Sequence, residues 1–79
     1  MSYTSKIKAL NALADDSMLG VRLGRFCIST AMPVVEVAAE LDVSKTVVYN
    51  WFTGRRDVGK HLRQKVEGYY NRLQCAESL

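Results

Sequence analysis

Apolar side chains recur every three to four residues along most of the chain, and strict alternation never lasts beyond a few positions. That spacing predicts helices and very little strand. Five helical segments follow. In the first, about residues 4–14, Ile7, Leu10, Leu13 and Ala14 share helical spacing, with Lys6 and Lys8 elsewhere on the wheel. Asp15, Asp16 and Ser17 then break it, as side chains that favour caps and turns. The second, about residues 17–29, puts Leu19, Leu23, Phe26 and Cys27 at i, i+4, i+7 and i+8 and points Arg22 and Arg25 away. Gly20 and Gly24, four apart, suit close approach by another helix. No G-x-G-x-x-G or G-K-[ST] pattern accompanies them to suggest a phosphate loop.

The third segment begins at Pro33, whose missing N–H suits a first helical position. Val37, Ala38 and Leu41 lie on one of its faces, and Asp42, Val43 and Ser44 interrupt it. Ser44 is the expected N-cap of the fourth segment, which runs to about residue 53 with Val48 and Trp51 on its inner face. Gly54 is expected to end it as a left-handed residue. Arg55, Arg56 and Asp57 form a polar loop before the fifth segment, about residues 58–74. There Leu62, Val66, Tyr69, Tyr70 and Leu73 repeat at helical spacing, and the chain is expected to fray near Ser78. The predicted fold is all-α: one domain spanning residues 1–79, a bundle of about five short helices.

Composition narrows the function. With 79 residues, 48% of them hydrophobic and 24% charged, the chain has the make-up of a small globular domain rather than a disordered tail. No apolar run approaches the roughly 18 residues of a membrane span. Residues 1–5 lack a basic flank leading into an apolar stretch, so neither an export signal nor a membrane association is expected, and the expected compartment is the cytoplasm. Cys27 and Cys75 lie far apart in sequence and His61 is the lone histidine, so no zinc site, cofactor or catalytic dyad is expected. Cys27, between Phe26 and Ile28, reads as a small buried hydrophobe, and His61 as a surface residue or phosphate neighbour. A binding module, not an enzyme, fits best.

Charge is uneven. The formal net charge is +3, yet residues 44–65 hold six basic side chains (Lys45, Arg55, Arg56, Lys60, Arg63, Lys65) against the single acid Asp57. A positive charge concentrated in one segment is what phosphate contacts require.

That segment overlaps the most informative stretch, residues 33–51, PVVEVAAELDVSKTVVYNW. Two short helices meeting steeply at a turn need a small residue at the crossing, here Ala38, and an apolar plug in the turn, here Val43. Val48 and Trp51 would anchor the second helix so that its other face projects. Together with Leu19-Gly20-x-Arg22-Leu23 upstream and Trp51-Phe52-Thr53-Gly54-Arg55-Arg56 downstream, this stretch resembles the phage-repressor and Cro-type (lambda-repressor-like) helix-turn-helix family over about residues 19–73. Asp42 stands where that family most often has Gly, Val34 where it often has Gln, and Pro33 where a Ser or Thr cap is usual.

The resemblance implies a motif at about residues 33–52, with Val37, Ala38, Leu41, Val43, Val48 and Trp51 as its core. It implies base contacts from Ser44, Lys45, Thr46, Tyr49 and Asn50. The chemistry agrees: Lys45 can donate to guanine, Asn50 can pair with adenine, and the Thr46 methyl can meet that of thymine. Thr53, Arg55, Arg56 and Lys60 are the implied phosphate contacts. The implied protein is a sequence-specific regulator of transcription, a phage or mobile-element repressor. It would bind double-stranded DNA at a palindromic operator as a homodimer. Leu62, Val66, Tyr69, Tyr70 and Leu73 are the candidate dimer surface, with the N-terminal helix as a second candidate. The alternatives are an adaptor that contacts a protein partner, such as an antirepressor or antitoxin-like factor, and an accessory factor in DNA packaging or recombination.

Overall fold

Short-range capping sets the helix boundaries. The computed structural model describes residues 3–78, with side chains to residue 76, and its helices are α1 (Ser5–Leu13), α2 (Leu19–Ser29), α3 (Val34–Leu41), α4 (Lys45–Phe52) and α5 (Lys60–Ser78). Among the described residues there is no strand, and no helix is long and apolar enough to cross a membrane. Thr4 Oγ1 accepts the Ile7 N–H at 3.2 Å and starts α1. Asp15 Oδ1 accepts the Ser17 N–H at 2.9 Å and shapes the break before α2. That bond holds the Asp15 carboxyl below the usual carboxylate range. Pro33 lies one residue earlier than expected, in extended conformation (φ −64°, ψ 140°) just before α3.

Three helices end on left-handed residues: Ala31 (φ 58°), Asp42 (φ 56°) and Gly54 (φ 75°). At the end of α2 the Ala31 N–H donates to Ile28 O and the Met32 N–H to Cys27 O, at 3.3 and 2.9 Å. This paired-bond ending favours glycine at the left-handed position. Ala31→Gly is therefore expected to stabilise the protein by about 1 kcal/mol, read as a higher Tm in thermal denaturation. An unchanged or lower Tm would contradict the left-handed ending.

α4 packs chiefly on α2 and α3, and α1 touches α2 and α4. Leu19, Leu23, Cys27, Val37, Ala38, Leu41, Val48 and Trp51 form the centre of the core, as their spacing predicts. Gly20 lies against Trp51 and Gly24 against Phe52, so the glycine pair of α2 serves close helix packing. Five further core residues, Tyr3, Val21, Val34, Phe52 and Val58, fall outside the predicted core. The Tyr3 hydroxyl donates to Met32 O at 2.6 Å and its ring lies 6.0 Å from that of Phe52.

The structure corrects the sequence expectations in four places. In α1 the buried position is Asn11, 3% exposed, whereas Leu10 and Leu13 are 40% and 86% exposed. α1 meets backbone carbonyls of α2 and α4, so an amide donor fits there and a leucine does not. Arg25 is not turned away: its guanidinium donates to the Asn11, Ala12 and Ala14 carbonyls at the end of α1 and pairs with Asp16 at 3.1 Å. α5 starts two residues late, because Val58 is buried in the loop with its N–H given to Asp57 Oδ1, and it runs through Ser78. Val66 and Tyr69 are buried in the core of their own chain and so are not free for a dimer surface; Leu62, Tyr70 and Leu73 are half-buried against that core.

Cys27 is fully buried and burial pushes its thiol up to about 12. Tyr3 and Tyr69 are raised as well, mainly by burial, each with Cys27 as the next cause. The fold thus favours the neutral forms of all three. Their contribution is fully present below the ordinary thiol value of about 8.5 and is lost as pH rises through the folded values. Denaturation midpoints should fall progressively above about pH 8.5, and Cys27→Ala should move the onset towards the tyrosine value of about 10. Midpoints flat to pH 11 would contradict this.

Candidate nucleic-acid interface

The connection between α3 and α4 is three residues long and each has a distinct task. Asp42 takes the left-handed conformation, with its N–H on Ala39 O and the Val43 N–H on Ala38 O. Asp supports this conformation better than most residues, which explains how the turn forms without Gly. Val43 is half-buried against the core. Ser44 Oγ accepts the Val47 N–H at 3.2 Å and caps α4, as expected.

Within α4, Val48, Trp51 and Phe52 are all buried. At about 100° per residue, the opposite side of the helix carries Thr46, Tyr49, Asn50 and, just past its end, Thr53. Lys45 sits at one edge of this polar stripe and Val47 at the other. Ser44, Lys45 and Thr46 are exposed, and Tyr49 and Asn50 are half-buried. Trp51 is 3% exposed and is a core residue. Eight helical residues span about 12 Å, the length of roughly three to four stacked base pairs at 3.4 Å each.

Cations bracket this stripe. Lys45 and the cap Ser44 lie at its start; Arg55, Arg56 and Lys60 follow its end, and all are exposed. The loop after α4 is held by Gly54 (φ 75°), by the Arg56 N–H on Asn50 O at 3.2 Å, and by Asp57, which faces Arg63 at 3.9 Å. Elsewhere Arg25 pairs with Asp16, Arg63 also with Glu67, and Arg72 with Glu40. Lys45, Arg55, Arg56 and Lys60 have no side-chain partner among the described residues, nor do Lys6, Lys8 and Arg22. Four unneutralised cations therefore flank one eight-residue helix. His61, also exposed, stands beside Lys60 with its ring against Gly59.

One expected phosphate contact is altered. The Thr53 hydroxyl donates to Tyr49 O at 2.8 Å. A hydroxyl has one proton to give, so Thr53 can accept from a ligand but has no free donor for a phosphate oxygen. The contribution of Asn11 to this end of α4 was missed by sequence reasoning. Its spacing from Ile7 and Ala14 marks the buried face of α1, but an amide there reads as surface.

A second concave region lies on the side of α2 that faces away from α4. Grooves of about 290 and 400 Å³ flank Phe26 there, and its ring meets Tyr70 edge-on at 6.1 Å. Unpaired Arg22 lines the larger groove. No protein-family model, curated protein or solved structure matches the chain.

Proposed function

We propose that the protein is a sequence-specific regulator that binds double-stranded DNA, with α3 and α4 acting as a helix-turn-helix and α4 entering the major groove. The observation that carries this is the two-sidedness of α4: one side is wholly buried, the other is a polar stripe bracketed by unpaired cations. Lys45, Thr46, Tyr49 and Asn50, with Ser44 at the cap, meet base edges; Arg55, Arg56 and Lys60 hold the backbone. A phage- or mobile-element-type repressor that occludes a promoter is the simplest role. Two copies would occupy half-sites about 34–36 Å apart. The described body measures 29 × 27 × 23 Å, so neighbours fit side by side at that spacing. Among the described residues the large exposed hydrophobics are Leu10, Leu13 and Val35, fewer than the roughly 1,200 Å² buried by a stable free dimer calls for. Pairing is therefore proposed to take place on the DNA.

A protein-contact adaptor is the alternative, supported by the grooves beside Phe26 and by Arg22. Selection from a pool of random duplexes at low salt separates the two. Enrichment of a short inverted repeat supports the regulator; a folded protein that enriches nothing supports the adaptor.

A further inference from the structure

The last four carbonyls of an α-helix have no partner within it, and those of α4 are all accounted for. Tyr49 O accepts the Thr53 N–H and hydroxyl. Asn50 O takes the Arg56 N–H and Trp51 O the Gly54 N–H, both at 3.2 Å. These partners are supplied by the next few residues of the chain. Phe52 O is different: its partner is the Asn11 amide of α1, 41 residues away, at 2.6 Å. The same nitrogen donates to Val21 O of α2 at 3.2 Å, so one buried amide ties three helices together. It is the one buried polar side chain among the described residues. Gly24 makes room for it, since a Cβ there would lie 2.8 Å from Asn11 Nδ2.

We infer that Asn11 positions the end of α4 and the exit of the basic loop, which makes α1 a working part of the DNA-binding apparatus; the functional half of this inference rests on the proposed regulator. Without the Asn11 amide, Phe52 O and Val21 O are left buried with no side-chain donor. Relief comes by moving the end of α4, and with it Gly54, Arg55 and Arg56. A residue that merely fastened α1 would not move that loop.

The test compares Asn11→Ala with Arg25→Ala, which loosens α1 at its own carbonyls and touches no atom of α4. Amide hydrogen exchange in the free protein is read at Gly54 and Arg56, referenced to Val66 in the core. Asn11→Ala should speed the two loop amides about tenfold relative to Val66, and Arg25→Ala should leave that ratio within about twofold. On the duplex chosen by selection, Asn11→Ala should weaken binding about tenfold at the same fraction folded, with Arg25→Ala close to wild type. If Asn11→Ala does not fold, Asn11→Ser takes its place in both measurements. Loop amides that keep their ratio to Val66, or an Arg25→Ala effect equal to that of Asn11→Ala, would overturn the inference. Exchange is measured without DNA, so wild-type failure to bind any duplex would sink the regulator and leave the positioning result standing.

Discussion

Gly20→Ala is expected to destabilise the protein by about 3 kcal/mol, the upper end for overpacking a tight core. A Cβ at Gly20 would stand 2.6 Å from Trp51 Cβ and 3.0 Å from both Trp51 Cα and Trp51 O. Two of those three atoms are backbone, so no side-chain rotation relieves the clash. α4 as a whole must move off α2. On an exposed helix the same substitution gains up to about 1 kcal/mol, because Ala is the better helix former. Gly68 in α5 offers that comparison within one molecule: a Cβ there meets nothing within 4 Å. Gly68→Ala should stabilise by about 0.5–1 kcal/mol. Urea denaturation of both variants gives the signs directly. A neutral or stabilising Gly20→Ala would mean that α2 and α4 are not in such close contact.

The second large effect is on binding and separates two kinds of contact. Asn50→Ala should lower discrimination at one base position by about 1–3 kcal/mol and leave binding to unrelated duplexes almost unchanged. Arg55→Ala should weaken binding to every duplex and reduce the slope of log K against log salt by about 1. Removing Arg55, Arg56 and Lys60 together should reduce it by about 3. The contrast follows from position. Asn50 lies on the outward stripe of α4 and its side chain has no partner among the described residues; the three cations lie beyond the helix end. Equal loss on all sequences for Asn50→Ala would remove it from base reading.

Much of this arrangement was legible in the residues. Ser44 announced the start of α4, and Gly54 its end. Val48 and Trp51 marked the buried side, from which the polar stripe follows by geometry. Gly20 and Gly24 predicted close packing without revealing that Trp51 and Phe52 occupy the space. What was not legible depends on partners distant in sequence. Periodicity placed Leu10 and Leu13 inward, but the surface that α1 covers is made of carbonyls, and the inward residue is an asparagine. Arg25 looked like a solvated charge because the carbonyls it caps belong to another helix. Val66 and Tyr69 looked like surplus apolar surface because a count of apolar positions does not show how much core α5 must close.

Chemical-shift mapping of the backbone amides on addition of the selected duplex tests the central claim most directly. Perturbations are expected to concentrate at residues 44–60, with Lys45, Thr46 and Asn50 the largest and the groove beside Phe26 and Tyr70 silent. Perturbations centred on Arg22, Phe26 and Tyr70, with α4 undisturbed, would contradict it.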